Sequence, residues 1–256
     1  MEREFVLRIL RGVSGEQYWQ DFAFELKPSM NIISCLMEIQ KEPLTALGER
    51  VTPVVWESNC LEEVCGACSM LINGYPRQAC TTLIHEVLEK TKSSIITVAP
   101  LSKFPLVRDL MVDRAIMFET LKQVHAWIDV DSSFAPNDTS KIPPEQQEIR
   151  YALSTCMTCG CCTESCPQMR KLGSFFVGPA AIAQVKLFNI HPSGVLQKKD
   201  RLHALMGKGG ISECGNAQNC VRVCPKHIPL TDAIASIGRD VSLQFLKDLF
   251  SLPERE

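Results

Sequence analysis

The sequence predicts an α+β chain in two parts, with strands dominating the first hundred or so residues and helices dominating the second half. Three observations predict it. Apolar residues alternate at period two near the N-terminus, as in "DFAFELK", and Asn73-Gly74 sits between two strand-like runs. From about residue 145 the apolar residues fall at helical spacing, broken at Gly, Pro and Cys. Apart from Cys35, which stands alone, the thirteen cysteines are clustered, four in the strand-rich part and eight in the helical part. The predicted division is 1–103, a helical bridge and linker at 104–144, and 145–256.

Taken in order, "EFVLRILR" and "DFAFELK" pair as a hairpin through "GVSGEQ", with Phe22, Phe24 and Leu26 on one face and Asp21, Glu25 and Lys27 on the other. "MNIISCLMEIQ" places Ile32, Ile33, Leu36, Met37 and Ile39 near helical spacing. "CSMLINGYPRQAC" is a second hairpin and "SSIITVAPL" a further strand. "FPLVRDLMVDRAIMFETLKQVHAWI", residues 104–128, reads as helix, and "DSSFAPNDTSKIPPEQ" as loop. "GPAAIAQVKLFNI" puts Pro179 in a first helical turn, where its missing N–H does no harm.

Composition narrows the function. A net charge of −2 gives no electrostatic case for nucleic acid as partner. No apolar run reaches the ~20 residues needed to span a bilayer. "MEREFVLRIL" is too charged for a signal peptide, and an odd count of clustered cysteines argues against a disulfide framework, so a reducing bacterial cytoplasm is the simplest setting. There is no catalytic triad, phosphate-binding loop or G-x-G-x-x-G fingerprint.

The cysteine spacing carries the chemistry. "CMTCGCCTESCP" holds Cys156, Cys159, Cys162 and Cys166 on C-x2-C-x2-C-x3-C-P, the bacterial ferredoxin run for cubane iron–sulfur clusters. "CGNAQNCVRVCP" repeats it at Cys214, Cys220 and Cys224, with Ala217 at one ligand position. In two-cluster proteins the last cysteine of a run ligates the other cluster. Cys156, Cys159, Cys162 and Cys224 then suit [4Fe–4S], and Cys166, Cys214 and Cys220, one thiolate short, suit [3Fe–4S]. Cys60, Cys65 and Cys68 follow the plant-type C-x4-C-x2-C spacing for [2Fe–2S], with Cys80 as the fourth ligand. Structural zinc favours close ligand pairs in one tetrahedral set and fits these spacings poorly. Cys35 and Cys161 read as packed thiols, the five histidines as surface or capping groups, and "KKDR" at 198–201 as a solvated helix start.

A plant-type domain followed by a two-cluster ferredoxin domain resembles, over nearly the whole chain, the iron–sulfur subunit of succinate dehydrogenases and fumarate reductases. "NCLEEVCGACSMLINGYPRQAC", "CMTCGCCTESCP", "GPAAI" and "CGNAQNCVRVCPKHIP" are similar to that family's signatures. The resemblance implies a β-grasp ferredoxin fold followed by a helical ferredoxin-like domain. It implies a respiratory-chain and tricarboxylic-acid-cycle electron carrier with FAD on a flavoprotein partner and haem b on a cytochrome b membrane anchor. The chain would sit peripherally on the cytoplasmic side of the bacterial membrane. Succinate and fumarate would react at the flavin, and either direction of flow is open. A soluble thiol- or glycolate-type oxidoreductase subunit is the rival. Lys171 and Gly215 stand where ubiquinone-type members carry tryptophan and histidine, and Gly238, with Arg239 beside it, stands where a basic residue is frequent. That pattern resembles the menaquinone-reactive type, with Arg170, Lys171, Gly215 and Arg239 on the quinone or anchor side.

Overall fold

The computed structural model describes residues 4–129, 142–169 and 176–250. They divide into two compact units, the first drawn from Met1–Arg114 and Met157–Glu164, the second from Ala115–Cys156 and Ser165–Glu256.

In the first unit, β1 (Glu4–Val13) and β2 (Glu16–Glu25) pair antiparallel from Glu4↔Glu25 to Val13↔Glu16. Helix α1 (Ile32–Lys41) follows, then the hairpin of β3 (Ser69–Ile72) and β4 (Tyr75–Gln78), helix α2 (Ile84–Thr91) and β5 (Ile95–Ala99). The sheet order is β2-β1-β5-β3-β4, with β1 and β5 parallel at its centre. This is the β-grasp arrangement that the family resemblance implies. Asn73 and Gly74 both adopt positive φ (49° and 75°), the two left-handed residues a type I′ hairpin turn requires. Asn31 caps α1, accepting from Ser34 N at 2.8 Å in a capping box, and Ile32, Ile33, Cys35, Leu36 and Ile39 are buried. Met37, counted on the apolar stripe from sequence, is 55% exposed, because at about 100° per residue it falls just beyond Ile33 at the edge of the buried arc. Helix α2 has no counterpart in the sequence reading, although Ile84, Val87 and Leu88 stand at i, i+3 and i+4 and are buried.

The start of the predicted 104–128 helix is instead a strand pair, β6 (Leu106–Arg108) and β7 (Met111–Val112). The cause lies a hundred residues away. Along β1 the inward positions are Phe5, Leu7, Ile9 and then Arg11, which is 1% exposed. A buried guanidinium needs a counter-charge. Asp109, also 1% exposed, supplies it from the turn between β6 and β7, with Arg11 Nη2 3.3 Å from its Oδ2. Gly12 N and Val55 N donate to the same carboxylate at 2.8 and 2.9 Å. Asp109 holds a left-handed φ of 49°, which no helix interior tolerates. A tertiary tie overrides local propensity here.

The second unit is helical. It contains α3 (Ala115–Gln123) and α4 (Pro144–Ser154), the latter starting on a proline at the end of the stretch read as loop. Residues 131–141 of that loop lie outside the described residues. The chain then contributes Met157–Glu164 to the first unit, where α5 (Cys161–Ser165) begins. Helices α6 (Gly178–Asn189), α7 (Lys198–Ala204), α8 (Asn219–Arg222) and α9 (Leu230–Phe250) follow. Pro179 sits in the first turn of α6 as expected. Ala181, Ile182 and Val185 of α6, Leu202 of α7, and Ile237 and Val241 of α9 share one core. Arg201 corrects the solvated reading of "KKDR": it is fully buried. Its guanidinium donates to the carbonyls of His125 (2.9 Å), Gly194 (2.6 Å) and Trp127 (2.6 Å) and to Asn189 Oδ1 (3.1 Å).

Removing one member of a buried pair leaves the other charge uncompensated. Asp109→Ala is expected to destabilise by about 3–5 kcal/mol. Thermal unfolding of the cluster-loaded chain measures this as a lowered midpoint.

Candidate metal centre

All thirteen cysteines are free thiols. Among the described residues no three His, Cys, Asp or Glu side chains gather as ligands of a single ion. Fit to polynuclear clusters therefore rests on the thiol groupings and the donors around them.

The first group lies on the loop leading into β3. Leu61 (φ 61°), Glu63 (φ 55°) and Gly66 (φ 72°) are left-handed, so the backbone curls and turns its N–H groups toward the sulfurs. Cys60 Sγ accepts from Glu62 N (3.4 Å), Val64 N (3.3 Å) and Cys65 N (3.3 Å), and Cys65 Sγ accepts from Ala67 N (3.4 Å) and Cys60 N (3.5 Å). The backbone donors of Glu62 and Val64 draw the Cys60 thiol down to about 7. Such a nest stabilises thiolate, the form that binds iron. Cys68 is buried, which pushes its thiol up to about 12 in the absence of metal. Cys68 and Cys80 flank the hairpin, and Ala79 N donates to Cys68 O at 3.1 Å, so the eleven-residue gap brings the fourth thiol beside the third. Four thiols with amides aimed at the sulfurs suit [2Fe–2S].

Met157–Glu164, carrying Cys159 and Cys162, packs within the same unit. A Cβ on Gly66 would stand 2.9 Å from Cys159 Cα and from Met157 O. Cys161 has no solvent exposure and bonds Gln78 Nε2 at 3.5 Å, in keeping with a packed, off-pattern thiol. Cys159 is drawn down to about 7, first by its hydrogen bond with Cys161, whose own thiol is pushed up. Arg114 clamps the ligand loop through the carbonyls of Gly66 and Ala67. Of the other two cysteines assigned to [4Fe–4S], Cys156 and Cys224 belong to the second unit.

In the second unit, Cys166, Cys214 and Cys220 line one pocket, and Ala217 lines it with them. Asn216 (φ 50°) and Gln218 (φ 59°) are left-handed on either side of Ala217, and Asn219 Nδ2 ties this loop to Ser165 O at 3.1 Å. Burial raises the Cys220 thiol, and its neighbours Cys166 and Cys214 add to the shift. Three thiols and a methyl facing one space suit a cluster with one iron fewer than a cubane.

A 2Fe-2S iron-sulfur cluster binding domain matches residues 6–119, and a 4Fe-4S dicluster domain matches residues 152–228. The succinate dehydrogenase iron–sulfur subunit of Bacillus subtilis is 49% identical over 233 residues, which cover 91% of this chain and 90% of that protein. The chain belongs to the iron–sulfur subunits of succinate dehydrogenases and fumarate reductases. The fumarate reductase iron–sulfur subunit of Wolinella succinogenes is 30% identical over 248 residues, covering 93% of this chain and 98% of that one. A chain of the Mycobacterium smegmatis Sdh1 complex in the apo form shares the fold, with a TM-score of 0.81 at 24% identity over 95% of this chain and 98% of its own.

Within this iron–sulfur subunit, the positions singled out from sequence near the third thiol group separate. Gly215 lines the pocket, and Gln168 occupies the space beside it: a Cβ there would meet Gln168 Nε2 at 2.5 Å. Arg239 lies on α9 outside the pocket lining and pairs with Asp240 at 3.4 Å. Arg170 and Lys171 lie outside the described residues. Sequence reasoning missed Gln78, Ser69, Arg114 and Glu164. The one available signal was Gln78, a polar side chain at an inward position of β4.

Gly66→Ala should destabilise by about 1–3 kcal/mol through overpacking against the Cys159 backbone. Gly15→Ala, at φ 88° with open space around its Cβ, isolates the cost of the backbone angle alone. Comparing the two melting midpoints reads the clash.

Proposed function

We propose that this chain is the electron-transfer subunit of a membrane-bound succinate:menaquinone oxidoreductase, passing electrons between the FAD of a flavoprotein subunit and a membrane quinone. The ligand sets are Cys60, Cys65, Cys68 and Cys80 for [2Fe–2S]; Cys156, Cys159, Cys162 and Cys224 for [4Fe–4S]; and Cys166, Cys214 and Cys220 for [3Fe–4S]. When bound, the clusters supply one-electron carriers whose potentials follow cluster type, charge and hydrogen bonding. The chain's residues fix those variables. Backbone amides face Cys60 and Cys65, Arg114 holds the ligand loop, and Ala217 takes the place of a fourth thiol in the last group. The observation that carries the reading is the near full-length likeness to the Bacillus subtilis succinate dehydrogenase subunit. The Wolinella succinogenes relative favours a second reading, the same subunit in a fumarate reductase oxidising quinol.

Two features support a peripheral place in a membrane complex, on the cytoplasmic side by family resemblance. No helix of the described residues is long and apolar enough to cross a membrane. The C-terminal half of α9 exposes Leu243, Phe245, Leu246, Leu249 and Phe250, a patch of the kind partner subunits cover. Menaquinone rather than ubiquinone is favoured by Gly215, where no imidazole is available and Gln168 fills the space. The cytochrome b anchor then provides most of the quinone's contacts.

The cluster inventory predicts about nine irons per chain. Three ferric ions in the trinuclear centre leave an unpaired spin, so the air-oxidised protein should show a near-isotropic EPR signal that mild reduction removes. Ala217→Cys should let a fourth iron bind, abolish that signal and make the centre more reducing. Stoichiometric zinc without the signal would refute the inventory.

Turnover of the native complex with succinate should be clearly faster with menaquinone analogues than with ubiquinone analogues. A clear ubiquinone preference would refute the menaquinone reading, and quinol-driven fumarate reduction outpacing succinate oxidation would favour the second reading.

A further inference from the structure

Gln78 is fully buried at the end of β4, and its amide lies between two sulfurs of different standing. Nε2 donates to Ser69 Oγ at 2.9 Å and to Cys161 Sγ at 3.5 Å. Oε1 accepts from Cys68 Sγ at 3.5 Å. That arrangement suits Cys68 as a free thiol. It does not suit Cys68 as an iron ligand, because a ligating thiolate has no proton to give. A carbonyl oxygen would then face a negative sulfur inside a low-dielectric core, where an unpaired polar contact is costly.

A half-turn of the amide removes the conflict. The two ends of a glutamine amide have nearly the same shape, so exchanging them needs no repacking. Nε2 then donates to Cys68 Sγ, and Oε1 requires a donor. Ser69 provides one. Its hydroxyl donates to Gly66 O at 2.7 Å, but that carbonyl also accepts from Arg114 Nη1 and keeps a partner when Ser69 turns away. Cys161 has a single S–H to give, to Oε1 or to its neighbour Cys159, so Ser69 is the fixed anchor. The turned amide thus gives the Cys68 sulfur a donor and keeps its own carbonyl paired with Ser69.

We propose that, with iron at Cys68, Gln78 turns its amide to donate a hydrogen bond to the ligating sulfur, is held there by Ser69, and thereby raises the reduction potential of the first cluster. The inference rests on the assignment of Cys60, Cys65, Cys68 and Cys80 to [2Fe–2S]. Reduction adds negative charge that spreads onto the ligand sulfurs, so a donor aimed at one of them stabilises the reduced state.

The test is a redox titration of the reduced [2Fe–2S] EPR signal in the native complex, with iron content measured alongside. Gln78→Met keeps the side chain's length and removes the donor. It should raise the oxidised-to-reduced ratio about tenfold at a fixed ambient potential, equivalent to a shift of 59 mV downward for a one-electron couple. Ser69→Ala leaves the amide but removes its anchor, and should shift the potential in the same direction by less. A Gln78→Met complex with full iron content and unchanged potential overturns the proposal. If Gln78→Met does not assemble, Ser69→Ala decides: a downward shift supports the proposal and an unchanged potential overturns it. Absence of any [2Fe–2S] signal from the unmutated complex overturns the ligand assignment instead, so the two failures are distinguishable.

Discussion

Residues Met157–Glu164 meet the first unit at two glycines that leave no room for a methyl group. Gly66 faces the Cys159 backbone, and Gly160 faces the Phe104 ring, where a Cβ would approach Cζ to 2.9 Å. Both glycines hold positive φ, 72° and 86°, so each position demands glycine for its backbone angle as well as for its space. Polar ties bracket this apolar contact. Glu164, 8% exposed, accepts from Ser102 Oγ and from Lys103 N at 3.0 Å, so its buried carboxylate is paired. Arg114 holds the facing loop by its carbonyls. The positions of Cys159 and Cys162 relative to Cys65 and Cys68 follow from these few contacts. In electron transfer between neighbouring centres, such fixed geometry is what the protein contributes, since the redox chemistry belongs to the cofactors.

Each unit also buries an arginine, and the two are stabilised differently. Arg11 has the Asp109 carboxylate together with Gln20 Oε1 at 2.6 Å and Pro53 O at 3.1 Å. Arg201 has only dipoles: carbonyls and amide oxygens, plus the face of Phe188 with its centroid 5.7 Å from the guanidinium carbon. Burial lowers the Arg201 pKa, opposed by the more distant Asp129 and Asp200. An arginine remains charged at any physiological pH, so a lowered value leaves the cage intact. Both residues stitch segments distant in sequence. Arg11 joins β1 to the β6–β7 turn, and Arg201 joins α7 to the residues following α3. Such groups specify one arrangement more than they add stability, since an apolar replacement of both partners is frequently neutral.

The iron–sulfur motifs were legible because cluster coordination places thiols at short sequence separations. C-x4-C-x2-C and the two runs ending in Cys-Pro need no tertiary information to be recognised. The hairpin at Asn73-Gly74 was legible for the same reason, as local backbone chemistry. Residues whose role depends on distant partners were not. The 104–114 stretch has helical composition, yet Arg11 draws Asp109 into a turn. Arg201 reads as one more charge in a basic run, and only the carbonyls of His125, Trp127 and Gly194 show why it is inside. Gln78 gave a faint sign, polar on an inward face, but only the folded hairpin shows its amide between the Cys68 sulfur and Ser69, with Cys161 packed against it from eighty-three residues away.

The first unit is therefore not a contiguous stretch of sequence. A chain ending at Arg114 would contain every strand of the mixed sheet and all four thiols of the first group, but it would lack Met157–Glu164. Gly66, Gly160's partner Phe104, and the Gln78 amide would then lose the backbone and sulfur they pack against, and Gln78 would sit in a core without one of its hydrogen-bond partners. Contacts at this separation close a long loop, which is entropically unfavourable and slow, so they form after local structure such as the β1–β2 and β3–β4 hairpins. The same run of sequence returns to the second unit at Ser165 and supplies Cys166 to the last pocket. Within eleven residues, from Cys156 to Cys166, the chain leaves the second unit, completes the first and goes back.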